Sequence, residues 1–188
     1  YYYFSNKKIA KLFNDVAAAY TIKGENRFKI IAYQNAASSI EHSTSEIKDL
    51  WEEGKLDTVP GLGENIRKHL DELFTTGKVK HFEAVTGDIP QVVFELLKVR
   101  GMGPKTAYKL ATRLKLKSLR DLVQKAKSKK IRKIPGFGQK SEQEILESAN
   151  KFKEPTRYLL SEAFPVAQRV LNHLKTLKEA RIAELLGS

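Results

Sequence analysis

The sequence predicts an all-α fold, and three observations lead to this prediction. Apolar residues recur at intervals of three and four along most of the chain, as they do in helices with one buried face. No stretch before residue 181 alternates apolar and polar residues in the way of a half-buried strand. In addition, one short glycine turn occurs three times between these helical segments, at residues 59–63, 99–103 and 134–138.

The composition indicates a globular chain with a polyanionic partner. Of 188 residues, 41% are hydrophobic and 30% are charged, which is enough to build a core. The formal net charge of +12 is larger than solubility requires and favours a polyanion as the partner. Because the chain has no cysteine, disulfides, cysteine-ligated zinc and cysteine catalysis are excluded. The four histidines do not show metal-ligand spacing, and no apolar run is long enough to cross a membrane.

Two helices are predicted at the start of the chain. The first begins after Ser5 and ends at the break before Gly24, and its apolar stripe has helical spacing: Ile9, Leu12, Phe13, Val16, Ala17 and Tyr20. The second covers residues 27–40. We expect its buried side to consist of Phe28, Ile31, Ala32, Ala36 and Ile40.

Capping residues predict the next two helices. Ser43 and Glu46 have the spacing of a capping box, which would open a short third helix that ends at Gly54. The helix after the first glycine turn runs from about residue 64 to residue 76 and buries four apolar residues, Ile66, Leu70, Leu73 and Phe74. Gly77 then ends it.

The middle of the chain repeats the same order of elements. Short helices near residues 79–85 and 90–98 lead into the second glycine turn, and a helix follows it. Ser118 and Asp121 form another cap-like pair that opens the next helix. The third turn also precedes a helix, and from residue 155 the pattern predicts one longer helix.

Each glycine turn has the form of an apolar residue, any residue, Gly, an apolar residue and Gly, followed by a helix. This is the pattern of a helix-hairpin-helix motif, in which backbone N–H groups at a helix N-terminus bind a phosphate. Lys105 and Lys140 follow the second glycine at matching positions, where the first turn has Asn65. The alternative interpretation is that these are three tight interhelical turns that bind no phosphate. The residues predicted to contact DNA are Gly61, Leu62, Gly63, Asn65, Arg67, Gly101, Met102, Gly103, Lys105, Gly136, Phe137, Gly138 and Lys140.

The carbonyl groups of the same turns can hold a monovalent cation, K⁺ or Na⁺, that bridges to the phosphate. The carbonyls predicted for this role belong to Val59, Leu62, Val99, Met102, Ile134 and Phe137. A second basic feature lies between the last two turns, where residues 115–133 contain nine lysines and arginines against Asp121. A solvated helix face normally mixes charges of both signs, so this tract favours contact with a phosphate backbone over a charged loop.

The motifs resemble a known family. Residues 29–40 (KIIAYQNAASSI) and 59–63 (VPGLG), with LDEL at 70–73 and TGK at 76–78, are similar to the N-terminal lyase-type domain of family X DNA polymerases. Residues 99–107 resemble the family's second hairpin. The additional hairpin at residues 134–140 resembles that of the prokaryotic members of the family, the PolX branch.

The resemblance implies three regions. They are a lyase-like domain with the first helix-hairpin-helix motif at 1–86, a domain with the second and third motifs at 87–155, and a connecting helix at 156–188 that reaches the first strand of a nucleotidyltransferase palm. In the family this palm begins with Gly-Ser and later supplies aspartates that bind two Mg²⁺ ions. This chain stops at Gly187-Ser188, so we expect these 188 residues not to polymerise DNA.

The resemblance also implies a function in base excision repair. The chain would bind gapped or nicked DNA without sequence specificity, as a monomer in the prokaryotic cytoplasm, associated with the nucleoid and not with a membrane. A 5′-phosphate pocket would contain Lys29, Tyr33 and Lys68.

The family's reactive lysine aligns with His69, whose imidazole forms no stable imine, and a second pocket lysine aligns with Asn65. The neighbouring Lys68 is then the candidate nucleophile for the alternative activity, a 5′-deoxyribose-phosphate or abasic-site lyase. A helix-hairpin-helix DNA glycosylase pairing Lys105 with Asp121, and a helical adaptor that binds no DNA, are further alternatives.

Overall fold

A computed structural model describes residues 2–152 of the chain. Within this range the structure has α-helices, two 3₁₀ turns and no strand, so the all-α prediction is confirmed there. The helices are α1 Asn6–Lys23, α2 Arg27–Glu41, α3 Ile47–Glu52, α4 Glu64–Thr76, α5 Lys80–Thr86, α6 Gln91–Leu96, α7 Pro104–Arg113, α8 Leu119–Lys127 and α9 Gln139–Lys151. The 3₁₀ turns, Leu56–Thr58 and Ile131–Lys133, each precede a glycine turn.

Local capping sets several of these boundaries. The Ser5 hydroxyl accepts a hydrogen bond from the Lys8 N–H at the start of α1, and Gly24 ends this helix in the left-handed region. At α8, the Ser118 hydroxyl accepts from the Asp121 N–H, and the Asp121 carboxylate accepts from the Lys117 N–H at 2.8 Å. Both predicted N-termini are confirmed. Asp121, which the glycosylase alternative would use in catalysis, caps α8 in this structure.

The predicted capping box of α3 is wrong. Ser43 bonds instead to the carbonyl of Ser45 two residues later, and Glu46 makes no side-chain cap. Asn6 of α1 takes over this function, because its amide oxygen accepts from the Ile47 N–H at 2.8 Å and its amide nitrogen donates to the Ser45 carbonyl at 2.9 Å. The cap therefore comes from a residue 41 positions away, which no local pattern indicates.

The predicted buried face of α2 is also wrong in part. Ala36 and Ile40 are buried as expected, but Phe28 is 83% exposed, and Ile31 and Ala32 are exposed as well. The helix turns Tyr33 inward instead, because the Tyr33 ring packs on two aromatic rings of α1. Its centroid lies 5.8 Å from that of Phe13 and 5.3 Å from that of Tyr20.

The buried apolar residues form two clusters, and α1 contributes to both. The first cluster contains Ile9, Phe13 and Val16 of α1 together with residues of α2, α4 and α5. The second contains residues of α6 to α9 and reaches back to Ala18 and Ala19 on the other side of α1. The described residues up to Lys151 form one compact unit, in which the first glycine turn belongs to one cluster and the second and third belong to the other.

Several predictions fall on residues that the structure does not describe. The long helix from residue 155, the region 156–188 and the first strand of a palm all lie outside the described residues. In the described part of the chain, no helix is both long enough and apolar enough to span a membrane.

Candidate nucleic-acid interface

The three glycine turns have the same backbone geometry. The first glycine of each, Gly61, Gly101 and Gly136, has a φ of 83°, 82° and 91°, in the left-handed region that favours glycine. In each turn the apolar residue between the two glycines donates its N–H to the carbonyl three residues earlier. The three bonds run from Leu62 to Val59 at 3.3 Å, from Met102 to Val99 at 3.0 Å and from Phe137 to Ile134 at 3.0 Å.

The second glycine of each turn has a different property. Gly63 and Gly103 have extended backbones, with φ of −61° and −82°, and Gly138 does not have a positive φ either. Any residue could adopt these conformations. A Cβ atom added at any of the three would meet no protein atom within 4 Å. The folded chain itself therefore does not require glycine at these positions.

The helices after the first two turns, α4 and α7, begin with N–H groups that no side chain caps. Neither α4 nor α7 has a side chain that caps its N-terminus, so the first N–H groups lack a partner within the helix. These groups carry the positive end of the helix dipole. The side chains of Leu62 and Met102 are buried, so only the backbone of these two predicted DNA-contacting residues is available to a ligand. The side chains of Lys105 and Lys140 are exposed.

A cleft of about 1080 Å³ lies beside the first turn. It brings together the predicted pocket residues Lys29, Tyr33 and Lys68, and it also contains Asn65 and the whole turn from Val59 to Gly63. Arg67, which was predicted to contact DNA, does not line this cleft. It lines a separate groove with Trp51 and Asp71.

Both lysines of the cleft are paired with carboxylates. Lys29 Nζ lies 3.6 Å from the Glu25 carboxylate and 4.3 Å from the centroid of the Tyr20 ring. Lys68 Nζ lies 2.7 Å from the Glu64 carboxylate, and its side chain is 67% exposed. A Schiff-base nucleophile must be a neutral amine, which desolvation favours and a paired carboxylate opposes. The lyase activity of Lys68 stays a prediction, and the surroundings of this amine give it no support.

Two tyrosines and two histidines form a ring of contacts at the cleft. The Tyr33 hydroxyl lies 3.0 Å from His69 Nε2, and the Tyr20 hydroxyl lies beside His81 Nε2. The two imidazoles stack with their planes 2° apart and their centroids 5.2 Å apart. Sequence reasoning did not find His81, because it comes twelve residues after His69 and on another helix. The sequence has no signal for this pairing.

Burial favours the neutral forms of the side chains in this ring of contacts. It lowers the pKa of His69, and the nearby His81 lowers it further. Burial and the charge of Lys29 lower the pKa of His81 in the same way. Burial also raises the pKa of the Tyr33 hydroxyl. Both imidazoles and the phenol are therefore neutral at pH 7.

A second cleft of about 400 Å³ lies between the second and third turns. Three basic side chains line it, namely Arg100, Lys105 and Lys109. Lys109 of α7 donates a hydrogen bond to the Pro135 carbonyl of the third turn, and its ammonium lies 5.5 Å from the centroid of the Phe137 ring. This lysine links α7, the helix that follows the second turn, to the third turn, and it was not found from the sequence.

The basic tract of residues 115–133 covers α8 and the 3₁₀ turn after it. Most of its lysines are exposed, whereas its apolar residues are buried in the second cluster. Arg132 is an exception, because its Nε donates to Glu142 Oε1 at 2.6 Å and its backbone N–H donates to Glu142 Oε2 at 3.0 Å. Its guanidinium therefore supports the third turn rather than adding to the exposed charge.

Comparison with known families matches both halves of the described chain. Residues 4–79 match the family described as a helix-hairpin-helix domain. Residues 93–151 match the family described as a SAM-like helix-hairpin-helix tandem. The first range contains the first glycine turn, and the second range contains the other two. The three helix-hairpin-helix motifs predicted from the sequence therefore fall within matched regions.

Two curated relatives are similar to the chain over much of its length. The DNA polymerase/3′-5′ exonuclease PolX of Bacillus subtilis is 29% identical over 172 residues, which are 89% of this chain and 29% of that protein. DNA polymerase lambda of Arabidopsis thaliana is 32% identical over 108 residues, which are 56% of this chain and 19% of that protein. The chain spans less than a third of either relative.

Proposed function

Since the chain matches an N-terminal helix-hairpin-helix region of family X DNA polymerases, we propose that it binds DNA without sequence specificity. Its three glycine turns hold backbone phosphates. Its first cleft takes the 5′-phosphate at a gap or nick. In this proposal the chain positions a repair polymerase on damaged DNA, and phosphate contacts of this kind fix position without reading sequence.

The observation that carries the proposal is the second glycine of each turn. Gly63, Gly103 and Gly138 have ordinary backbone conformations and open space around them, so neither strain nor packing requires glycine. A missing Cβ is useful where a ligand must approach the backbone closely. A phosphate that approached these positions would meet the unpaired N–H groups at the start of a helix. Interhelical turns that bind no ligand would not require glycine at these three positions.

The charge of the chain supports a nucleic acid as this ligand. The net charge is +12, and exposed lysines lie two residues after the last glycine of two turns and along residues 115–133. Each phosphate that these side chains neutralise releases counterions, so binding should weaken steeply with salt. The second cleft, with Arg100, Lys105 and Lys109, joins two turns into one positively charged surface.

The first cleft supports the preference for an interrupted strand. It combines Lys29 and Tyr33 with the first turn, and a terminal phosphate carries more negative charge than a backbone phosphate. Phe28 precedes Lys29 on α2 and is almost fully exposed, although it is aromatic. Exposed aromatic rings beside basic residues suit stacking on unpaired bases, which a gap provides.

A monovalent cation fits the turns as part of this proposal. Such ions take oxygen ligands, and each turn provides backbone carbonyls at the predicted positions, on Val59 and Leu62, Val99 and Met102, and Ile134 and Phe137. The first carbonyl of each pair accepts one N–H within the turn, and a carbonyl oxygen has a second lone pair. Bound K⁺ or Na⁺ would supply positive charge next to the phosphate.

The direct experiment measures affinity for a duplex with a single-nucleotide gap, with and without a 5′-phosphate, by fluorescence anisotropy. We expect the 5′-phosphate to strengthen binding by about tenfold, the gain of one charge-assisted contact. We expect Lys29→Gln to remove this gain and to leave binding to an intact duplex nearly unchanged. Raising the salt from about 50 to about 200 mM should weaken all binding by orders of magnitude.

Lys7→Gln is the matched control, because Lys7 is exposed on α1 and does not line the first cleft. It should keep the preference for the 5′-phosphate. Equal affinity of the wild-type chain for both gapped duplexes would refute the pocket assignment. An absence of DNA binding at low salt would refute the function itself and favour a helical adaptor.

A further inference from the structure

The ring of contacts formed by Tyr20, Tyr33, His69 and His81 includes two histidines that have no role in the phosphate contacts described so far, although Tyr33 belongs to the proposed pocket. Its members come from α1, α2, α4 and α5, so four separate helices bring them together. Tyr33, His69 and His81 line the first cleft beside the glycine turn, and both histidines are only partly buried there. Two neutral imidazoles thus lie at the place where the proposed phosphate enters.

The charged groups around the ring determine which protonation state it takes. Lys29 lies over the Tyr20 ring and disfavours a second positive charge. Glu25 and Glu72 act on the imidazoles in the opposite sense. The centroids of the two stacked imidazoles are 5.2 Å apart, so two positive charges would repel each other strongly. The pair is therefore expected to bind one additional proton rather than two. The negative charge of a dianionic phosphate in the cleft would stabilise the imidazolium that forms when one of the two imidazoles binds this proton.

We propose that His69 and His81 together take up one proton when a terminal phosphate enters the first cleft, so that the bound phosphate faces an imidazolium. This inference rests on the proposed 5′-phosphate site and adds a proton to it. Neutral imidazoles avoid a permanent positive charge in a partly buried site. An imidazolium then gives a charge-assisted contact that forms only with the ligand present.

The hydrogen bond between Tyr33 and His69 provides a route for this change. With His69 neutral and unprotonated at Nε2, the Tyr33 O–H donates to this nitrogen across 3.0 Å. When solvent supplies a proton to Nε2, the N–H donates to the tyrosine oxygen instead. The Tyr33 O–H can then rotate and donate to a phosphate oxygen. One N–H bond forms at His69 Nε2, the proton comes from hydronium or a buffer acid whose own bond to that proton breaks, and Tyr33 keeps its own O–H bond.

The test is calorimetric titration of the chain with gapped DNA at about pH 7.5 in two buffers of different ionisation enthalpy. A terminal phosphate, whose second pKa is near 6, is almost fully dianionic at this pH and releases few protons itself. We expect uptake of close to one proton with the 5′-phosphate and none with a 5′-hydroxyl. The preference for the 5′-phosphate should rise as pH falls from about 8 to about 7, by up to about tenfold per unit, the limit for one proton.

The double variant His69→Gln/His81→Gln cannot bind this proton, whereas glutamine can still form hydrogen bonds. We expect it to lose proton uptake and the pH dependence, and to keep binding to an intact duplex. His42→Gln, which changes an exposed histidine at the end of α2, should behave as wild type.

The result that would overturn the inference is a clear preference for the 5′-phosphate without proton uptake in the wild-type chain. Uptake that survives in the double variant would overturn it equally. Loss of the preference itself would instead contradict the proposed pocket, so the two failures are distinguishable. The wild-type comparison of the two gapped duplexes decides the question even if the double variant does not fold.

Discussion

The triple variant Gly63→Ala/Gly103→Ala/Gly138→Ala is expected to fold like the wild-type chain and to bind DNA about 100-fold more weakly or worse. A methyl group at these positions meets no protein atom within 4 Å, so the fold can accept it. It would stand where a phosphate approaches the N–H groups of the turn. A hydrogen bond to a charged group contributes about 1.5–3 kcal/mol, so weakening three turns gives a loss of this order.

The stability of this variant should change little, for two opposing reasons. Replacing glycine by alanine at a compatible φ stabilises by about 0.4–1 kcal/mol through the unfolded chain. Alanine is also a poorer N-cap than glycine, which offsets this gain. Thermal unfolding monitored by circular dichroism and anisotropy with duplex DNA measure the two effects separately. Normal folding with unchanged affinity would show that phosphates do not approach the turns.

The matched control replaces the first glycine of each turn, with Gly61→Ala/Gly101→Ala/Gly136→Ala. These residues have φ between 82° and 91°, where a side chain costs about 1–2 kcal/mol per residue. The control variant should be less stable than the wild-type chain, and any weaker DNA binding should result from this loss of stability. The two triple variants thus distinguish a glycine needed for the ligand from a glycine needed for the turn.

Glu142→Gln is expected to reduce the free energy of unfolding by about 2 kcal/mol. The Glu142 carboxylate is 2% exposed and accepts hydrogen bonds from the N–H and the guanidinium of Arg132. Glutamine keeps the shape of this side chain but replaces one carboxylate oxygen by an NH₂ group. This donor would then face one of the N–H donors of Arg132. Because the Arg132 side chain is partly exposed, at 31%, the loss lies below that of a fully buried pair. Urea unfolding measures it.

Glu144→Gln is the control for this experiment. It removes the same charge from the same helix at an exposed position, and it should change stability by less than about 0.5 kcal/mol. Equal stabilities of the two variants would contradict a structural role for the Arg132–Glu142 pair.

The effect of Glu142→Gln should also depend on pH. Burial raises the pKa of the Glu142 carboxyl, but the bonds from Arg132 outweigh this and hold the pKa below its ordinary value of 4.5. A carboxyl whose folded pKa is lowered stabilises the fold above 4.5, and this contribution is lost as pH falls through the folded pKa. The stability difference between wild type and variant should therefore be constant near neutral pH and shrink below about pH 4.5.

The parts of the fold that depend on nearby residues could be predicted from the sequence. The α4 helix begins after Gly63 and ends before Gly77 as expected, because glycines at both ends determine its boundaries. The Ser118 cap of α8 is also a local feature. The same holds for the three turns, whose glycine spacing specifies their geometry directly.

The parts that depend on distant residues could not be predicted in this way. Apolar residues occur on more than one side of α2, and only the rings of Phe13 and Tyr20 determine that Tyr33 turns inward and Phe28 outward. At the candidate site, Lys29 and Tyr33 could be placed together because they lie one turn apart. His81 and Lys109 join their sites only through tertiary packing, which the linear pattern does not contain.

The most direct test of phosphate binding by the glycine turns is a ¹H–¹⁵N NMR titration of the chain with a gapped duplex. It reports on each backbone N–H separately. We predict that the largest shifts occur at the second glycine of each turn and at the first residues of the helix that follows, at Gly63, Gly103 and Gly138 and at Glu64, Lys105 and Gln139. Shifts confined to the lysines of residues 115–133, with the turn amides unchanged, would contradict the account.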